Sequence, residues 1–439
     1  MHAANPDESA AQAVEPHDPF GAIRAGNFRR YWLGNLVATL GLQMQSAGLI
    51  WEIYHRTESA FDLGLVGLVQ VIPVLSLALF AGHVADRVDR KLVLTGALAL
   101  SGLCSLGLAG ASYFELPVGC MYGLLFFIGV ARAFLQPAKN SFLPQIVPRE
   151  IFSNAVTWSL GGFQLASVAG PALGGWLLWL TDGRAYVVYL SEAAAVVAFI
   201  VLLSGVKRLQ ASPAAVETPT LDSLGEGIAF VWNMKVILGA ITLDMFAVLL
   251  GGAMSLVPIY ARDILHVDAF YYGCLLSAPA VGALLMSTIL VFRPPIAKAG
   301  PTLLWAVAGF GVATVVFGFS TNFWLSLLAL LLTGAFDAIS VVIRHTLVQL
   351  LTPDAMRGRV SAISGMFISA SNELGGFESG LLAHLTSPVV SVVSGGIGTL
   401  AVVATAAMAL PQLRRYGRLD GSAQQPAPGE PEETMEVLI

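Results

Sequence analysis

The chain has 439 residues, 56% of them hydrophobic and only 12% charged, with a formal net charge of −5 and a mean hydropathy of +0.74. Soluble domains carry about 25% charged residues, so the composition excludes an ordinary soluble fold and describes a polytopic membrane protein. The net charge says nothing about partners, because membrane proteins sort charge by side of the bilayer. Cys104, Cys120 and Cys274 lie inside apolar runs with no C-x-x-C pair, and read as small packing residues rather than redox or metal ligands.

In chain order, residues 1–27 are polar, rich in Ala, Pro and Asp, and read as a disordered cytoplasmic tail without the features of a signal peptide. Twelve apolar spans follow, at about 28–51, 63–86, 92–111, 117–138, 155–179, 186–205, 236–260, 271–292, 301–320, 324–348, 361–385 and 389–410. Each can cross roughly 30 Å of hydrocarbon at about 1.5 Å per helical residue. The expected fold is therefore all-α, with twelve transmembrane helices in two six-helix bundles, 28–207 and 236–410. Between them lies a cytoplasmic linker, 208–235, in which Leu224, Ile228, Val231 and Trp232 recur at helical spacing and predict an interfacial amphipathic helix. Residues 411–439 read as a second disordered tail. Of 23 Lys and Arg, 18 fall in the tails, the first turn of span 1 and the even-to-odd connections, so the positive-inside rule places both termini in the cytoplasm.

The most charged short stretch between spans is Gly82-His-Val-Ala-Asp-Arg-Val-Asp-Arg-Lys91. Asp86 ends span 2, where a carboxylate can cap a neighbouring helix or pair with a cation, and Arg132 near the cytoplasmic end of span 4 is the expected partner of Asp86 or Asp89. Alternatively, Arg87, Arg90 and Lys91 only fix topology. In span 5, Gly170, Pro171 and Gly174 supply small residues at four-residue spacing, which let helices approach closely in lipid.

The G-x-x-x-D-R-x-x-R-K spacing of that stretch resembles the signature loop between the second and third helices of major facilitator superfamily transporters, with Asp89 where a glycine often stands. Pro137–Pro148 after span 4, Gly170–Gly175 in span 5 and Thr352–Val360 before span 11 resemble the enterobactin-exporter-like, or transmembrane secretion effector, branch over about residues 28–412. The resemblance implies a monomer of the bacterial inner membrane that exports siderophores or other small molecules by alternating access. It also associates the Gly170-Pro171 pair with exporters and with the interface between halves; ordinary helix packing explains the same residues.

Charges inside spans cost about 2.5–3.5 kcal/mol each at a helix centre and so mark candidate sites. Asp244, Asp337, Glu373 and Glu378 are the candidate proton carriers. Asp244 has no cation on its own helix and could load and release a proton at cellular pH. Asp337 and Arg344 stand seven residues apart on nearly one helical face, so an ion pair locking the second bundle competes with a carrier role for Asp337. Glu52 is either a mouth residue or an interfacial one, and Gln43, Gln45, Gln70 and Gln164 are candidates for lining a pathway. The chain has no phosphate-binding G-x-x-x-x-G-K-[ST] loop, which excludes ATP as the energy source, and no basic patch interleaved with aromatics for nucleic acid. No cofactor is expected; the proton gradient is. The rival readings are a flippase for lipid-linked substrates and, from a different class, an intramembrane lipid-modifying enzyme, for which the dispersed histidines supply no cluster.

Overall fold

The computed structural model describes residues 18–207, 221–294 and 296–417. Helices α1 to α6 run over Gly26–Thr57, Ala60–Arg87, Arg90–Tyr113, Val118–Ile146, Phe152–Leu180 and Ala185–Ser204. Helices α7 to α12 follow over Lys235–Leu250, Ala269–Val291, Ala299–Phe319, Phe323–Leu351, Asp354–Leu385 and Pro388–Ala409. Among the described residues, ten of the spans are long and apolar enough to cross a membrane on hydropathy alone. The other two, α1 and α11, are 32 residues each and carry more polar side chains among their apolar ones.

Polar caps start many of these helices where the chain turns. Asp89, Asp268 and Asn322 each accept two backbone N–H groups at the N-terminus of α3, α8 and α10, and Ser59 and Ser387 accept one each before α2 and α12. A side-chain oxygen there replaces the carbonyl partner that the first helical turn lacks.

α1 to α6 pack among themselves, as do α7 to α12, and the two halves meet along two seams, α2 on α11 and α5 on α8. Twelve crossings return the chain to the face on which it starts, here the terminal face; the opposite one is the distal face. The seams are tight toward the distal face. A Cβ added at Gly175 would stand 2.5 Å from the Ala269 carbonyl oxygen, and one at Gly380 would stand 2.6 Å from that of Ala60. Toward the terminal face they part: a Cβ at Gly82, Gly358 or Gly365 would meet nothing within 4 Å. The distal closure is reinforced by Arg262 Nη2 bonding Glu58 Oε1 at 2.7 Å, by Tyr54 donating to Asp263 and by Tyr272 donating to the Ala47 carbonyl at 2.9 Å.

Three expectations about the ends of elements need correction. Residues 18–27 are not a free tail: Gly21–Arg24 forms a helical turn, Asn154 Nδ2 and Trp158 Nε1 bond the Pro19 carbonyl at 2.8 and 2.9 Å, and α1 begins at Gly26. At the other end, Pro411–Arg415 is helical with Leu413 fully buried, and the Ala299 and Gly300 N–H groups donate to the carbonyls of Gly417 and Tyr416. Span 4 does not stop near Pro137; α4 carries both Pro137 and Pro144 inside it and continues to Ile146. The rest of both expected tails, 1–17 and 418–439, and the linker part 208–220 lie outside the described residues. The linker helix itself, Leu221–Asn233, buries Val231, exposes Ile228 and Trp232, and is tied to α11 by Arg359 Nη1 on Glu226 Oε2 at 2.5 Å.

Candidate functional site

Between the halves lies a cavity of about 480 Å³ whose wall mixes Gln43, Gln70, Arg132 and Pro171 from the first half with Asp337, Asn372 and Glu373 from the second. Phe310, Ile50 and Leu276 supply apolar surface in the same wall. A closed hydrocarbon environment tolerates such charges only where a wet cavity or a partner offsets them.

The longer α4 relocates Arg132. It stands fourteen residues from either end of Val118–Ile146, about 21 Å along the helix from each end, and is therefore a mid-helix residue rather than a neighbour of the charged loop. Its Nη1 donates to Gln70 Oε1 on α2 at 2.9 Å and stands 3.7 Å from Glu373 Oε1 on α11 of the other half. The expected partnership of Arg132 with Asp86 or Asp89 is thus overturned, because Pro137 does not end the helix. The loop residues have other tasks. Asp89 caps α3 through its Oδ1, and Lys91 Nζ donates to the Ser204 and Val206 carbonyls at 3.1 and 2.9 Å, satisfying the end of α6. Gly82 and Arg87 close α2 at the terminal face, and Arg90 begins α3; the side chain of Asp86 lies outside what the structure describes.

A second correction concerns the acids of the second half. Asp244 on α7 is 4% exposed and forms an ion pair with Arg344 of α10, itself 3% exposed. Asp244 is therefore not unpaired, and Arg344 does not pair with Asp337. Counting cations along a single helix cannot see a partner on the helix packed beside it. Arg344 lies about two turns from Asp337, nearer the level of Asp244. Asp337 stands fourteen residues from either end of Phe323–Leu351, lines the cavity and has no ion-pair partner among the described residues. Glu373 lines the same cavity, whereas Glu378 accepts from Ser379 Oγ at 3.4 Å and lies outside the wall.

The remaining candidates separate by face. Gly170 and Gly174 pack on α1, where their Cβ atoms would crowd Gln43 and Met44, while Pro171 and Gly175 face α8 of the other half. Glu52 is neither a mouth residue nor a free interfacial one. It is 7% exposed, pairs with Arg56 at 2.6 Å and accepts from Tyr189 at 2.7 Å, tying α1 to α6. Gln164 donates to the Ala280 carbonyl across the seam at 3.1 Å. Gln45 does not line the pathway; it turns inward to Ser105 Oγ at 2.8 Å.

Sequence reasoning missed two features. Span 7 is broken: α7 ends at Leu250, and a 3-10 turn, Ala253–Leu256, and a π-helical turn, Tyr260–Ile264, follow. The break brings Gly251, Gly252 and Ser255 to the cavity wall. Interrupted helices that line a central cavity are a recurrent transporter device, and the Gly251-Gly252 pair inside an apolar run was the available signal. The other omission is Glu192 on α6, 1% exposed and within 3.3 Å of Ser101 Oγ, a carboxyl that lies in an apolar run like the other intramembrane acids.

The sequence matches the family model described as transmembrane secretion effector over residues 17–436. The chain belongs to that family. It is 26% identical over 393 residues to the enterobactin exporter EntS of Citrobacter koseri and to that of Escherichia coli O81, an alignment covering 89% of this chain and 93% of each relative. Its fold is similar to that of a bacterial homolog of the human lysosomal transporter Spinster in an inward-facing and occupied conformation, with TM-score 0.70, 13% identity and coverage of 92% of this chain and 100% of that one. It is also similar to the D-xylose-proton symporter, with TM-score 0.67, 14% identity and coverage of 90% and 99%. This secretion effector is thus a multi-pass transporter of the major facilitator superfamily and not an enzyme, and its mid-depth cavity between repeats is where transporters of this architecture bind their cargo.

Proposed function

We propose that this protein is a proton-coupled exporter of a small amphipathic molecule, siderophore-like or drug-like, working by alternating access as a monomer in the bacterial inner membrane with both termini in the cytoplasm. The observation that carries the reading is Asp337: an acid at the centre of a transmembrane helix, without an ion-pair partner among the described residues, in the wall of a cavity that the distal seams close off. Such a group can take a proton from one side and give it up to the other if its charged and neutral forms favour different arrangements of the halves. Export is the direction carried by the name of the EntS relatives. Asp244 becomes a structural acid in this reading, and Glu373 the second carrier.

Enterobactin is the first cargo to test, in proteoliposomes with an imposed pH gradient. Asp337→Asn, which mimics the protonated acid, is expected to abolish gradient-driven accumulation while downhill exchange continues. Undiminished accumulation in both Asp337→Asn and Glu373→Gln would remove proton coupling through the cavity acids.

A further inference from the structure

Arg132 is the one basic side chain in the cavity wall among the described residues. A guanidinium offers five N–H donors in a planar fork, yet the contacts of Arg132 run through Nη1 alone, to Gln70 at 2.9 Å and to Glu373 at 3.7 Å. The second distance is well beyond the 2.7–2.9 Å of a formed charge-assisted hydrogen bond. The side chain is 41% exposed, so the rest of the fork is free to meet a solute in the cavity. Glu373 is kept close by the absence of a side chain at Gly67: a Cβ there would stand 2.8 Å from Glu373 Oε2 and 3.1 Å from its carbonyl oxygen. α4 and α10 are the fourth helices of their halves, each 29 residues long, and Arg132 and Asp337 sit at the same central position in them. The cavity therefore has one cationic wall and one acidic wall at a single depth.

Resting on the transport reading above, we propose that Arg132 is the receptor for an anionic group on the cargo, a carboxylate or an acidic pair of oxygens, and that Glu373 holds its place between rounds. A bidentate oxygen pair satisfies the guanidinium fork better than the single long contact to Glu373 does. The cargo then lies with its anionic group toward the first half, its donor-bearing end toward Asp337, and its apolar body against Phe310 and Leu276. Because the Arg132–Glu373 contact joins α4 of the first half to α11 of the second, the anion also releases a tie between the halves, which links occupancy to rocking.

The test uses two fluorescent probes that differ only in charge, dansylglycine and its methyl ester, titrated into the purified full chain in detergent. Wild type is expected to bind the acid about tenfold more tightly than the ester, the effect of one added hydrogen bond to a charged group. Arg132→Gln should equalise the two. Arg132→Lys should keep part of the preference, and ester binding by Arg132→Gln at the wild-type level shows that this variant has not merely unfolded. Glu373→Gln, which removes the competitor, should tighten the acid several-fold and leave the ester unchanged. A preference that survives Arg132→Gln, or an acid affinity unmoved by Glu373→Gln, overturns the assignment. Wild-type proteoliposomes that move acid and ester equally would keep the transport reading and sink the anion receptor.

Discussion

The buried pair Asp244–Arg344 shows how a charge in a membrane helix is decided by its neighbours in space. Two ions held together at 4% and 3% exposure are stable as a pair, but removing one leaves the other uncompensated, at a cost of about 3–5 kcal/mol. Asp244→Asn is accordingly expected to lower the thermal unfolding temperature of the purified protein markedly. Combining it with Arg344→Gln should recover most of the loss, because no lone charge then remains. If the double variant is no more stable than Asp244→Asn, the pair is not what holds α7 to α10. The comparison with Asp337→Asn is informative in the opposite sense: that change removes a charge facing a cavity, so it should alter coupling with little effect on unfolding. Glu52, Arg56 and Tyr189 tie α1 to α6 near the distal face, and the same logic makes them part of the frame rather than of the pathway.

At the scale of elements, the broken seventh helix is the feature most sensitive to a small change. A Cβ at Gly252 would collide with the Gly375 carbonyl on α11, and inserting a methyl group into a packed contact costs about 1–3 kcal/mol. Gly252→Ala should therefore push α7 away from α11 and depress transport more strongly than Gly225→Ala, which adds its methyl group in open space on the linker helix; equal activities would show that the close approach is dispensable. Most of the helices could be read from the chain, because an apolar run near twenty residues has few alternatives in a membrane and because Asp89, Asp268 and Asn322 mark where helices restart. What could not be read were features set by the third dimension. Pro137 has the look of a stop, yet α4 tolerates it and so carries Arg132 to mid-depth. The cation for Asp244 comes from α10, and Gln43 and Gln45, two residues apart, face opposite environments because successive helical residues turn by about 100°. The Gly251-Gly252 break and Glu192 were both visible as residues, but only packing shows that one opens onto the cavity and the other does not.

For the whole molecule, the alternating access proposed above requires that the closed distal face be separable at modest cost. The pair Glu58–Arg262 is made by side chains 67% and 35% exposed, and exposed pairs of this kind contribute about 0–1 kcal/mol, so this contact orients the closed face more than it binds it. Joining Glu58→Cys and Arg262→Cys with a short reducible cross-linker should stop transport and reductant should restore it; transport that continues through the cross-linked protein would show that the distal face need not open. Reporter fusions after Arg415 or within 210–220 are expected in the cytoplasm and one within 181–184 outside, and a reversal would overturn the assigned orientation.

The glycine seams bear on speed as well as on shape. Where Gly175 meets Ala269 and Gly273, and where Gly380 meets Ala60 and Gly64, backbone lies on backbone, with no interdigitated side chains that must change rotamer before the surfaces part. Such a seam is held by many weak contacts rather than a few strong ones, and opening it calls for no rotamer change at these glycines. A single bulky residue at Gly175 or Gly380 would put side-chain rearrangement on the opening path, and is expected to slow turnover measured as transport rate.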